Sequence, residues 1–135
     1  MNGLIYATRT LGFVNAPALM QRIVAELTDS SVDVSIYSHR RDAFTAVLDE
    51  VHIEYAVPDG AFYLFCKVPE KRQQENTDAG VSPDMAFINH LKKYLILGVP
   101  GSGFGKPGWL RFAYCIDENI IRASALAFKQ ALDDW

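Results

Sequence analysis

"PDGAFYLFCKV", residues 58–68, is the stretch from which the fold is read. Pro58, Asp59 and Gly60 are turn residues: a ring that presets φ, a side chain that bonds its own backbone, and a residue free to take positive φ. Residues 61–68 follow at once, mostly aromatic or aliphatic, with the length and composition of a strand. Their nearly continuous apolar character predicts burial on both faces. Upstream, "IEYAV" (53–57) alternates weakly and reads as a short strand leading into the same turn.

Working outward, Asp33 is predicted to open a long helix. Its core stripe is Tyr37, Phe44, Val47, Leu48 and Val51, and its wet side is Arg40, Arg41, Asp42, Asp49 and Glu50. Before it, Asn15-Ala16-Pro17 pairs a capping side chain with an early proline and starts a helix whose apolar face is Met20, Ile23, Val24 and Leu27. "PEKRQQENTDAG" (69–80) is polar and aperiodic, an exposed loop. Ser82-Pro83-Asp84 opens a further helix with Met85, Ile88, Leu91 and Leu95 inward. "LILGV" (95–99) and "WLRFAYC" (109–115) read as strands. Asp117 caps a final helix with Ile121, Ala125, Phe128 and Leu132 on its buried stripe. The glycine loop between the last two strands is about nine residues, which suits antiparallel neighbours. The fold class expected is an α/β two-layer sandwich: a small, mainly antiparallel sheet covered on one side by helices.

The totals fit one soluble domain. The chain has 135 residues, half of them hydrophobic, and a formal net charge of -3. "HRR" (39–41) and "EKR" (70–72) are too short and too close to acids to form a nucleic-acid surface. No apolar run reaches the roughly 18 residues of a membrane span. "MNGLIYATRTLGF" (1–13) lacks the charged region and cleavage site of a secretory signal, so the cytoplasm is the expected location. The same segment is apolar and uncapped, like a chain entered in mid-element. Residues 1–14 are therefore read as a truncated linker or helix end, and 15–135 as the domain. Cys66 and Cys115 sit in strand-like runs, where a free thiol acts as a small hydrophobe. His39, His52 and His90 have no metal-ligand spacing and are read as solvated helix positions.

"VPGSGFGKPGWLRFAY" (99–114) carries the chemistry. "GSGFGK" is not a phosphate cradle. A dinucleotide fingerprint starting at Gly101 needs glycine where Lys106 stands, and a Walker loop ending in Gly105-Lys106 needs glycine at Pro100 and a hydroxyl residue at Pro107. The loop is instead one whose backbone takes unusual conformations and approaches something closely. Phe104 on it either packs back onto the domain or walls a ligand pocket. Arg111 is either an edge-strand arginine with its head in water or a guanidinium held stiffly at a cleft. In the second case its planar fork binds a carboxylate through two parallel bonds.

"LGFVNAPALMQR" (11–22), "PDGAFYLF" (58–65), "VPGSGFG" (99–105) and "WLRFAY" (109–114) resemble, in order and spacing, the C-terminal part of class I aminotransferases. These are pyridoxal-phosphate enzymes of the aspartate aminotransferase fold. The resemblance covers essentially the whole chain and implies the small domain of such an enzyme. It implies that Arg111 grips the substrate α-carboxylate, with Phe104 and Gly105 bordering it. It implies pyridoxal phosphate in the full-length enzyme and none bound to this chain, a missing large domain, amino-acid and 2-oxo-acid substrates, and a homodimer when complete. Lys67, Lys71, Lys92, Lys93, Lys106 and Lys129 stand in no context resembling the Schiff-base lysine, so the chain alone is expected to be inactive. No catalytic, cofactor-binding or metal-binding residue is assigned within it. The alternative class is a binding module: an aminotransferase-like sensor domain of a transcription regulator, or a freestanding binder of small carboxylates.

Overall fold

The computed structural model describes residues 2–12, 15–70 and 80–135. Most of the polar loop 69–80, Lys71 included, lies outside the described residues, as do Phe13 and Val14. The chain divides into two compact units, Met1–Asp33 and Val34–Trp135.

In the first unit, α1 spans Asn2–Thr10 and α2 spans Ala18–Glu26. The helix after Pro17 forms as expected, but without the Asn15 cap: Pro17 occupies the capping position and no side chain bonds there. Gln21 Nε2 instead reaches back to the Ala16 carbonyl at 2.7 Å. The α2 stripe Met20, Ile23, Val24 and Leu27 is exposed throughout.

The second unit is built on a four-stranded antiparallel sheet. Its strands are β1 (Tyr55–Ala56), β2 (Tyr63–Lys67), β3 (Val99–Pro100) and β4 (Trp109–Ala113), in the order β1-β2-β4-β3. The helices are α3 (Ser35–Glu50), α4 (Pro83–Leu91) and α5 (Glu118–Asp133). The expected two-layer α/β sandwich is present. Leu64, Cys66, Leu110 and Phe112 point to one face of the sheet and are buried, with Phe44, Val47 and Leu48 of α3 and Ile121, Phe128 and Ala131 of α5 in the same core. The rings of Phe44, Phe112 and Phe128 meet edge-on or tilted at 5.5–6.1 Å between centroids and tie both helices to the central strand.

The other face of the sheet corrects the expectation for residues 61–68. Tyr63 and Lys67 are exposed and Phe65 is only half-buried, because among the described residues no helix of this unit covers that side. Aromatic residues mimic a doubly buried strand in sequence, since their rings lie along a sheet face and shelter one another.

Strand ends contract for local reasons. "LILGV" starts as a helix terminus: Leu95 takes a left-handed conformation (φ 60°) and the Ile96 amide returns to the Leu91 carbonyl. Only Val99 and Pro100 pair with β4. The inner face of α4 is Asp84, Phe87, Ile88 and Leu91. Of the expected set, Met85 and Leu95 are exposed, Leu95 being 91 % exposed. At the entry to β2, Ala61 also has positive φ, 66°. The buried Tyr114 hydroxyl donates to the Ala61 carbonyl at 2.7 Å and holds that turn.

Asp117 caps α5 as read: its carboxylate accepts from the Asn119 amide at 2.9 Å, and Glu118 pairs with Arg122 one turn on. Asp117→Ala is expected to cost about 1 kcal/mol. Urea denaturation checks this; a midpoint equal to wild type contradicts it.

Candidate functional site

β4 carries Trp109, Arg111 and Ala113 on the open face, beside Tyr63, Phe65 and Lys67 of β2. The register sets Arg111 against Phe65 on one side and Val99 on the other. The Arg111 guanidinium carbon lies 4.1 Å from the centre of the Tyr63 ring and 4.2 Å from that of Phe104. Phe104 in turn meets Phe65 edge-on at 5.8 Å. The guanidinium is thus layered between two rings, each attracting the cation through its negative face. Contact of the cation with the rings uses up none of the N–H donors as hydrogen bonds. Among the described residues none of these donors has a hydrogen-bond or acidic partner. Arg111 is half-buried on a strand anchored on both sides, so its fork is held rather than free to sweep. Such an edge accepts a carboxylate in two parallel charge-assisted bonds.

The glycine loop delivers the second ring. Gly101–Phe104 form a single 3-10 turn, closed by Gly105 in the left-handed region (φ 73°), whose amide returns to the Ser102 carbonyl. The Lys106 amide bonds the Gly101 carbonyl at 2.9 Å. The loop is a wound turn that leads into β4. Phe104 is 48 % exposed, with one side on Arg111 and the other open. Gly105 contributes the backbone reversal that ends the turn. Lys106 swings its ammonium over the Trp109 ring, 3.6 Å from the centroid, which places a second cation by the same strand.

Sequence reading missed Asp84. It sits in the first turn of α4, where an acid reads as an ordinary N-terminal residue, yet it is fully buried. Its Oδ2 accepts from the Ser102 amide at 2.8 Å, and Oδ1 has no hydrogen-bond partner among the described residues. Burial pushes its pKa up. The Ser102 amide and the nearby Ser82 and Ser102 hydroxyls outweigh that and bring it down to about 2. A native value below the unfolded 3.8 means the folded state binds this proton less tightly. The carboxylate's contribution, about 2 kcal/mol, is therefore complete above about pH 4 and lost as the pH falls through about 2. Acid unfolding followed by circular dichroism should show this dependence in the wild type, and Asp84→Asn should flatten it. An unchanged acid limb in the variant contradicts the assignment.

The remaining titratable residues lie elsewhere. His39 and His52 are exposed, as expected. His90 is not solvated: it is half-buried, bonded through Nε2 to the Ala131 carbonyl at 2.7 Å, and packed against Phe87, Tyr94 and Trp135. Phe87 and Tyr94 lie at helical spacing from it, but the Ala131 carbonyl of α5 and the C-terminal Trp135 come from far along the chain, which no local pattern reveals. Burial pushes the Cys66 thiol up to about 12, so it is an inert core residue. Cys115 lies past the end of β4 and is exposed, contrary to its expected place in a strand. Among the described residues no group of His, Cys, Asp and Glu could hold a metal, and no helix is long and apolar enough to cross a membrane.

A small antiparallel sheet with helices is consistent with an aminotransferase-like α/β fold. The family model of aminotransferase class I and II matches residues 5–125, and the chain belongs to that family. It is 36% identical over 89 residues to an LL-diaminopimelate aminotransferase of Nitratidesulfovibrio vulgaris, covering 64% of this chain and 21% of that protein. It is 32% identical over 101 residues to a probable aspartate/prephenate aminotransferase of Rickettsia typhi, covering 70% and 25%. An amino transferase crystal structure from Eubacterium rectale superposes with a TM-score of 0.72 at 32% identity, over 96% of this chain and 30% of that one. The chain thus spans about a fifth to a quarter of the length of these curated relatives.

Proposed function

We propose that this chain is the C-terminal part of a pyridoxal-phosphate-dependent aminotransferase, and that Arg111 is its fork for the α-carboxylate shared by amino-acid and 2-oxo-acid substrates. Phe104 and Gly105 form the edge of that site. Residues 15–135 are the small domain and 1–14 the linker or helix end before it. The complete enzyme works as a cytoplasmic homodimer. The observation that carries the reading is the Arg111 guanidinium layered between Tyr63 and Phe104, with its donor edge unpaired among the described residues. Fixing the carboxylate there sets the orientation of the bond that must break at Cα, and orientation is a large share of such catalysis.

The residues described here do not fit the cofactor itself. Pyridoxal phosphate would be held through a lysine amine until the substrate amine displaced it, and would supply the electron sink for the bond broken at the substrate Cα. Lys67 is engaged with Glu54 at 2.9 Å, and that pairing raises its pKa and holds its proton. Lys106 lies on Trp109 and Lys92 bonds Asn89. Lys93 and Lys129 are exposed helical residues. We therefore assign cofactor binding to the rest of the enzyme and expect this chain alone not to transaminate. Mixed with pyridoxal phosphate and dialysed, it should retain no cofactor absorbance; a retained band overturns this part. The site itself is tested by single-turnover reaction of the whole enzyme carrying Arg111→Ala. Amino-acid binding should weaken and the first half-reaction slow, whereas unchanged kinetics exclude Arg111 from the site.

A further inference from the structure

We propose that Asp84 is the positioning residue that seats Phe104 on Arg111. Its functional meaning rests on Arg111 being the carboxylate fork, but the geometry stands apart from that reading. Phe104 is carried by a turn with two internal ties, Gly105 to Ser102 and Lys106 to Gly101. Those ties hold the turn to itself. The bond from the Ser102 amide to Asp84 is the side-chain tie between this turn and helix α4, and it falls two residues before Phe104. A charged acceptor makes it stronger and shorter than a neutral one.

The arrangement is a costly way to fill a core position. A fully buried carboxylate with one oxygen unpartnered gives up hydration that a neutral residue would never have had. That cost falls where α4 meets the glycine loop, and among the described residues Asp84 is the only charged or polar residue that is fully buried. The tie fixes where the turn sits over the sheet, and so where the Phe104 ring meets the guanidinium. Loss of the tie leaves Arg111 with Tyr63 alone and widens the range of directions its fork can take.

The readout is the Arg111 side-chain Nε–Hε resonance of the 15N-labelled chain, identified by its loss in Arg111→Lys. Two rings facing the guanidinium shift this proton upfield of the other arginines. Phe104→Ala removes one ring and gives the reference displacement. Asp84→Ala is expected to move the peak by a similar amount while the backbone signals of β2 and β4 stay in place. Asp84→Asn keeps an acceptor for the Ser102 amide and should keep the peak upfield. A folded Asp84→Ala chain with an unmoved Arg111 peak overturns the proposal. If that variant does not fold, native-state exchange of the Ser102 amide decides: roughly tenfold faster in Asp84→Asn supports it, since a neutral acceptor binds more weakly, and an equal rate overturns it. Titration with glutamate separates the two readings. A peak that responds to Asp84→Ala but never to glutamate upholds the positioning role and removes the carboxylate role of Arg111.

Discussion

Replacing Arg111 by alanine in the whole enzyme is expected to lower kcat/KM for the amino-acid substrate by about a thousandfold. Two charge-assisted hydrogen bonds to a carboxylate are worth roughly 1.5–3 kcal/mol each, and each 1.4 kcal/mol is about a factor of ten. A loss of about a thousandfold corresponds to the middle of that range, as suits a half-buried guanidinium. Arg111→Lys keeps the charge but loses the planar fork and much of the stacking, so it should recover only part of the loss. The fold should survive either change. Cation–ring contacts at a half-exposed site contribute about 1 kcal/mol each, and the backbone pairing of β4 with β2 and β3 does not involve the side chain. Single-turnover kinetics and a denaturation curve measured on the same variant separate binding from stability. A large fall in stability with normal turnover per folded molecule contradicts the assignment.

Gly101→Ala is expected to cost about 3 kcal/mol and to disturb the site as well. Gly101 is buried, and a Cβ there would lie 2.5 Å from the Trp109 carbonyl oxygen and closer still to that of Lys106. Both obstacles are backbone, so no rotamer change relieves them. The chain must separate where β3 meets β4, beside the Pro100–Leu110 pair, and Phe104 moves with it. Gly103, two residues on in the same turn, has nothing within 4 Å of an added Cβ. Gly103→Ala should therefore change stability by less than about 0.5 kcal/mol. Urea midpoints of the two variants test the contrast. Equal midpoints mean that the tight approach at Gly101 is not what shapes the loop.

The local code was readable wherever one residue type has one physical use. Asp117 at a helix start and Pro83 at a first helical position each do what their chemistry allows, and they marked the starts of helices in advance. The stripe Phe44, Val47 and Leu48 needed only helical periodicity, because one face of a helix must leave water. The site was legible as far as the glycine loop and Arg111, since a rigid fork on a strand is a recognisable arrangement. Tyr63 and Asp84 were not. Tyr63 meets Arg111 only through a strand register that joins residues far apart in the chain. Asp84 is acidic at a helix N-terminus, where solvent is the ordinary surrounding, and only the packing of the loop onto α4 buries it.

The order of the residues alone determined where most helices and strands lie, that a small antiparallel sheet results, and that Arg111 stands on a strand after the glycine loop. Those follow from backbone geometry and from the side chain's preference for water or oil over a few residues. Tertiary structure alone decided that one sheet face is open among the described residues of its unit, that His90 is half-buried, that the Tyr63 ring meets Arg111, and that the glycine loop packs on a buried Asp84. Such contacts are set by how whole elements stack, and stacking energy is summed over many residues at once, so no short window of sequence contains it.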